Sequence, residues 1–351
     1  MRTSRPRRRP TIADVAARAK VSKATVSYVL NGDARVAAGT AERVRAAVRE
    51  LHYRPNRVAR ALAHERTGII AVALPHGGAL GDPFLLAFLR GVGEGCEAQG
   101  REFLLVPSTG ADNVSRLEEL WQGGLVDAVV ILDTRVGEDR VARLARAGVP
   151  TVSFGRPGSE AAAVAWIDVD NVAGARLATA HLLALGHRRV ATITAPLRFQ
   201  YAVDRLEGYR AGLGEGAIAF DPALVAEADL SEVSAYEHAR RLLAMPDRPT
   251  AFFAHSDRMA RGVARAVADA GLQVPEQVSV VGYDHVDAAS EGALRLTTVH
   301  QPVVAIGKSA ALLADRVAVA MEDVPAPLVL IPELVLGDST APLLAAPAVG
   351  A

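Results

Sequence analysis

From Gly68 onward, short strand-like apolar runs alternate with helical segments, and that alternation leaves few architectures open. Ile69–Leu74, Phe103–Val106, Val129–Leu132 and Thr151–Phe154 form one set of runs. Arg189–Thr194, Ala251–Ala254 and Val278–Gly282 form a second. The pattern predicts parallel sheets covered by helices on both faces. Two sets predict two lobes of one α/β body over residues 67–339. Past Leu296 a further strand, a helix near Val303–Met321 and two short strands complete it. The first lobe is expected over about 68–165 and 295–325, and the second over about 166–294 and 326–339. Ligands of such folds lie beyond the carboxyl ends of strands, so two facing lobes predict a small-molecule cleft between them.

Residues 11–54 read differently, as helices only. Ile12, Val15, Ala16 and Ala19 fall at helical spacing behind Thr11, an N-cap residue with Asp14 three positions on. Ser22 is a second N-cap, and the helix behind it turns Val26, Val29 and Leu30 inward. Lys23, Ala24, Thr25, Ser27 and Tyr28 are left wholly or partly outward. Two helices joined by a three- to four-residue turn make a helix-turn-helix, whose second helix fits the major groove of DNA; an ordinary helical hairpin is the other reading. A third helix is expected at about 38–51, with Thr40 at its start, where a hydroxyl can meet a phosphate.

Charge separates the same two regions. Lys plus Arg and Asp plus Glu both total 39, yet residues 1–66 carry 16 of the former and 5 of the latter, a net of +11. The remaining 23 and 34 leave the body at −11. A basic head on an acidic body points to a polyanion partner for the head alone. Residues 1–10 are an Arg- and Pro-rich arm expected to be disordered when free, although 11 of the 16 basic residues lie beyond Arg9. Residues 55–66 form a linker in which Pro55 suits the first turn of a two-turn helix. A helix that short is marginal alone, and Leu62 has little local core to join. Residues 340–351 are expected to be a loose tail.

Cys96 is the one cysteine, so there is no internal disulfide and no cysteine-rich metal site. No apolar run reaches membrane-spanning length, and no secretory leader follows the basic start, which predicts a cytoplasmic protein. Enzyme signatures fail on spacing. Gly307-Lys308-Ser309 resembles the end of a phosphate-binding loop, but Pro302 stands where its first glycine is needed. Gly91, Gly93 and Gly95 do not space as a dinucleotide fingerprint. His285 and Asp287 are too few to hold a metal. No cofactor is expected.

The ordered motifs TIADVAARAKVSKATVSYVLN from Thr11, LHYRPNRVARAL from Leu51, Asp82-Pro83-Phe84, Asp168-Val169-Asp170-Asn171, Leu185-Gly186-His187-Arg188-Arg189, Arg205-Leu206-Glu207-Gly208-Tyr209, Val278–Asp284 and Leu296–Val299 resemble bacterial transcription regulators of the lactose-repressor (LacI/GalR) family. The resemblance covers about 11–339. It implies a helix-turn-helix head, a hinge helix, a periplasmic-binding-protein-like body and a homodimer on pseudo-palindromic double-stranded operator DNA. It implies repression under allosteric control of a small molecule, with a sugar favoured over a purine or nucleoside; a ligand-processing enzyme with a DNA-binding head and a pure sugar-binding protein are the weaker readings.

Lys23, Ala24 and Tyr28 match base-reading positions, and Thr25 and Ser27 match phosphate-contacting ones. Ser22, Asn31, Thr40, Asn56 and Arg57 complete the DNA-facing set, and Leu62 matches the leucine that wedges into the central base step. Arg205 and Asp284 match positions that hold a ligand's polar groups, with Asp82, Phe84 and Ser256 lining the same cleft. Read without the resemblance, Arg205 and Asp284 suit a structural ion pair better than a ligand site.

Four positions depart from the family's usual residues. Lys20 replaces a turn glycine, which costs roughly 1 kcal/mol or more if the backbone there is left-handed. Tyr28 replaces an arginine. Ser256 replaces an asparagine and His285 a second aspartate, so the ligands of better-known members do not transfer automatically.

Overall fold

A computed structural model describes residues 10–30, 35–53, 66–75, 82–107, 113–137, 139–158, 164–286, 294–320 and 324–343. The chain divides into two compact units, residues 1–67 and 68–351.

The first unit holds α1 (Ile12–Ala19), α2 (Lys23–Leu30) and α3 (Ala38–Glu50). The Thr11 hydroxyl accepts from Asp14 N, while the Asp14 carboxylate accepts from Thr11 N, which closes a reciprocal capping box. Val15, Val26 and Val44, one from each helix, are fully buried together, and Tyr53 closes the cluster. Helical spacing on three short helices thus suffices for a thin core.

Lys20 ends α1 with φ 54° and ψ 49°, a left-handed conformation that a side chain disfavours. The turn geometry therefore carries the strain expected from the sequence. Lys20→Gly should stabilise this unit by about 1 kcal/mol, read as a higher denaturant midpoint at unchanged slope. An unchanged or lower midpoint would contradict the strain.

The second unit is built on two six-stranded sheets. The strands of the first are β1 (Ile69–Ala73), β2 (Glu102–Val106), β3 (Ala128–Ile131), β4 (Thr151–Phe154), β5 (Ala165–Val169) and β11 (Leu328–Leu330), in the order β11-β5-β4-β3-β1-β2 and all parallel. The second contains β6 (Val190–Thr194), β7 (Val225–Glu227), β8 (Ala251–Ala254), β9 (Ser279–Asp284), β10 (Thr297–His300) and β12 (Glu333–Val335). Its order is β12-β10-β9-β8-β6-β7, with only β12 antiparallel.

Three strands sit on the other side of the lobe limits expected from sequence. β5 and β11 belong to the first sheet and β10 to the second. The chain therefore crosses between lobes after β5, after β10 and after β11. Periodicity marks where a strand is but carries no information on which sheet it joins, because both sheets are buried on both faces. β5 and the three-residue β7 have no counterpart among the runs expected from sequence.

Helices α4 (Pro83–Ala98), α5 (Val114–Gln122), α6 (Arg140–Arg146) and α11 (Val303–Val319) cover the first sheet. The second is covered by α7 (Asn171–Ala184), α8 (Gln200–Glu215), α9 (Glu232–Leu243) and α10 (Asp257–Asp269). The glycines that mimic phosphate loops have a packing role. A Cβ on Gly91 would strike the Val304 carbonyl, and one on Gly307 would strike the Phe88 carbonyl. α4 and α11 thus cross at backbone contact, which only glycine permits.

Residues 340–343, expected to be loose, are tied to the body. Ala341 N donates to Ser279 Oγ at 3.1 Å and Leu343 N to Leu185 O at 2.8 Å. The Thr340 hydroxyl lies 3.0 Å from His181 Nε2. The start of an Ala/Pro-rich stretch that reads as a tail is here held by part-buried hydrogen bonds, which hydropathy does not reveal. Among the described residues no helix is long and apolar enough to cross a membrane.

Candidate functional site

In the first unit, α2 displays Lys23, Ala24 and Tyr28 to solvent, with Thr25 and Ser27 half-buried. Ser22 caps this helix: its hydroxyl accepts from Thr25 N at 3.0 Å and lies 2.9 Å from Thr25 Oγ1. Tyr28 is 48 % exposed, and the Arg35 guanidinium lies 5.4 Å from its ring centroid. The half-buried Thr40 sits in the first turn of α3 and accepts from Arg43 at 3.3 Å. Hydroxyls and cations thus lie at the start of two helices, where backbone N–H groups already favour anions, and an aromatic ring sits in the last turn of α2. Asn31, Asn56, Arg57 and Leu62 lie outside the described residues.

In the second unit, Asp82, Phe84, Arg205, Ser256 and Asp284 all line one cleft, together with residues from both sheets. Strand ends and helix starts place them. Asp82 is the N-cap of α4 and accepts from Phe84 N at 2.9 Å. Ser256 is the N-cap of α10 and accepts from Met259 N at 3.1 Å. Asp284 closes β9, and Arg205 projects from α8.

Arg205 is 5 % exposed and held on every side. Its Nε donates to Asn171 Oδ1 at 2.9 Å, and one terminal nitrogen donates to the His255 carbonyl. Its guanidinium lies 3.5 Å from the Tyr283 ring centroid and 5.1 Å from that of Tyr201. The second terminal nitrogen is 3.9 Å from Asp284 Oδ1, a loose contact. The ionic pairing read from sequence therefore exists, but Asn171 and His255 do more to fix the arginine than Asp284 does.

Asp284 instead accepts from Gln301 Nε2 at 2.7 Å. Burial pushes its carboxyl up to about 8, with Arg205 and Gln301 opposing and Asp257 and Asp82 assisting. Burial likewise lifts Asp133, Asp168 and Asp257 to about 6. A carboxyl with a raised folded-state pKa keeps a proton that the unfolded chain has released. Stability then falls as pH rises from the unfolded value of roughly 3.9 to the folded one. The window of Asp284 reaches furthest. We expect the melting temperature to fall between pH 6.5 and 8, and Asp284→Asn to flatten that segment. A wild-type profile already flat there would contradict the raised carboxyl.

The sequence reading missed Asp133, Phe154, Asp168, Asn171, Tyr201, His255 and Gln301, which line the same cleft. Most follow immediately on a strand end or open a helix, so the rule that ligands sit beyond strand termini would have found them. Asp133, Leu230 and Asp284, all cleft residues, have positive φ values of 56°, 71° and 111°. Backbone in the left-handed region thus recurs around the cleft. Phe84 and Phe154 stack with centroids 5.9 Å apart, and Phe154 stacks in turn on the buried Phe88. The cleft thus offers an aromatic wall, a fixed guanidinium and several carboxyl groups.

Residues 11–56 match the family described as bacterial regulatory proteins, lacI family, and residues 179–340 match a periplasmic binding protein-like domain. The HTH-type transcriptional regulator CelR of Thermobifida fusca is 38 % identical over 315 residues, which is 89 % of this chain and 93 % of that protein. A solved complex of the transcriptional regulator CelR with cellobiose is 35 % identical at a TM-score of 0.73, covering 94 % of this chain and all of that one. The lac repressor dimer bound to operator and the anti-inducer ONPF is 29 % identical at a TM-score of 0.85, covering 95 % of this chain and all of that one.

Proposed function

The chain belongs to the lacI family of bacterial regulatory proteins, and from that membership we propose how its two units share the work. It is a DNA-binding transcriptional regulator and not an enzyme. The helical unit is the operator-reading headpiece, over 11–54. Lys23, Ala24 and Tyr28 face base edges, and Ser22, Thr25, Ser27 and Thr40 face phosphates. Asn31, Asn56 and Arg57 join them, and Leu62 in the 55–66 hinge wedges from the minor groove. Two chains bind one pseudo-palindromic operator, a reading supported by the lac repressor dimer on its operator. The protein acts in the cytoplasm, as a repressor.

The effector occupies the cleft between the sheets and is a neutral sugar. One observation carries this: Asp82, Asp133, Asp168 and Asp284 line the cleft against Arg205 and Arg258, beside the Phe84–Phe154 stack. Carboxyl groups accept from adjacent hydroxyls, and an aromatic face suits the apolar face of a pyranose or furanose. A phosphorylated sugar would bring its charge into a carboxyl-rich pocket. The CelR–cellobiose complex supports a carbohydrate class.

A thermal-shift screen tests the reading. Cellobiose, glucose, ribose, their phosphates, hypoxanthine and guanine are compared at equal concentration. A neutral sugar at one hundred times its Kd should add about 2.7 kcal/mol of stability. Stabilisation by a purine alone, or by a sugar phosphate alone, would overturn it.

A further inference from the structure

His255 follows β8 directly and precedes Ser256, the N-cap of α10. It is 0 % exposed and lines the same cleft as Arg205 and Asp284. Its ring packs against Phe253 with centroids 5.2 Å apart. Its backbone carbonyl is used, accepting from Arg205. Its side chain is not: neither Nδ1 nor Nε2 has a hydrogen-bond partner among the described residues. A buried imidazole with both nitrogens unpaired is rare, because desolvating each without a partner is unfavourable.

The polar neighbours on the cleft floor are already committed. The Ser256 hydroxyl caps α10, Asp82 caps α4, Asn171 holds Arg205 and Asp168, and Gln301 holds Asp284. The His255 side chain keeps both a donor and an acceptor without a partner among the described residues. We propose that His255 is a specificity-determining residue of the effector site, one of whose ring nitrogens is satisfied by a hydroxyl of the bound sugar.

The chemistry fits a hydroxyl better than any other small group. Burial and the neighbouring Arg205 cation both disfavour the imidazolium, so the ring stays neutral. A neutral imidazole has one N–H donor and one lone-pair acceptor on diverging edges, and a hydroxyl, able to donate or to accept, can pair with either one. A site built to bond a hydroxyl rejects the analogue lacking it strongly, because the protein group is left buried and unpaired. His255 would therefore set which sugar is accepted, whereas Arg205 and Asp284 hold polyols in general.

The inference rests on the carbohydrate reading, and the test separates the two. Titration calorimetry with cellobiose and its monodeoxy analogues is run on the full-length wild type, His255→Leu and His255→Asn, with circular dichroism reporting the fold. In the wild type, one deoxy position should weaken binding at least tenfold. His255→Leu should weaken cellobiose at least tenfold and lose the discrimination at that same position, as a double-mutant cycle reads it. His255→Asn, which keeps one donor and one acceptor, should retain most of both. If His255→Leu does not fold, 15N-histidine spectra of the wild type decide: the His255 ring nitrogens should shift with cellobiose and not with the discriminated deoxy analogue. Equal cellobiose affinity and unchanged discrimination in His255→Leu, or unmoved ring nitrogens, would overturn the role of His255 and leave the carbohydrate reading standing. Failure of cellobiose, with ribose and glucose also silent, would overturn both.

Discussion

Arg205→Ala abolishes the effector response: sugar affinity falls at least a hundredfold, and operator binding no longer changes when sugar is added. The expectation follows from how the guanidinium is held. Asn171 and the His255 carbonyl fix two of its edges, and the Tyr283 ring lies under its face. That orientation is set before any ligand arrives, so none of the binding energy is spent on ordering it. Removing the side chain also leaves the Asn171 acceptor unpaired and Asp284 without its cation. The lost hydrogen bonds to Asn171 and the His255 carbonyl leave buried acceptors unpaired, so the body should melt earlier as well. Arg205→Lys separates the two effects, because it restores charge but not the planar fork. Sugar titration by calorimetry and operator binding by gel shift, both on folded protein, check this. A variant whose operator affinity still changed on sugar addition would move the site elsewhere.

The second large effect is that of salt. Residues 1–66 carry a net charge of +11, and in the proposed dimer two such heads would meet one operator. Cations that neutralise phosphates release counterions, so affinity falls linearly with salt on logarithmic axes. Six to ten phosphate contacts correspond to a loss of about 10³–10⁵ in affinity between 50 and 200 mM salt. The body carries a net charge of −11, so charge substitutions there should leave the slope unchanged. Binding measured by fluorescence anisotropy across that range checks this, and a shallow slope would mean that hydroxyl and backbone contacts carry the complex.

Local pattern located most of the elements and failed on their assembly. The capping box at Thr11 and the N-cap at Ser22 are readable because each is a contact between residues three apart in sequence. The assignment of β5, β10 and β11 to sheets is not, since it depends on partners more than a hundred residues away, as in the pairing of Leu328 with Ile167. Lys20 was legible as a liability because a left-handed position penalises any side chain. In the cleft, Asp82, Phe84, Arg205, Ser256 and Asp284 were reached through motif resemblance and share one wall-to-wall site. His255 and Asp133 carried no motif. Their significance comes from burial and from which partners they lack, and neither is a property of the sequence.

The account stands on coupling between the cleft and the operator. Operator affinity measured at fixed salt with and without saturating neutral sugar tests it directly, together with sugar affinity measured with and without saturating operator. Linkage requires the two ratios to be equal. The account predicts a ratio of at least tenfold that is the same in both directions and that disappears in Arg205→Ala. A sugar that binds the body tightly while leaving operator affinity unchanged would contradict it.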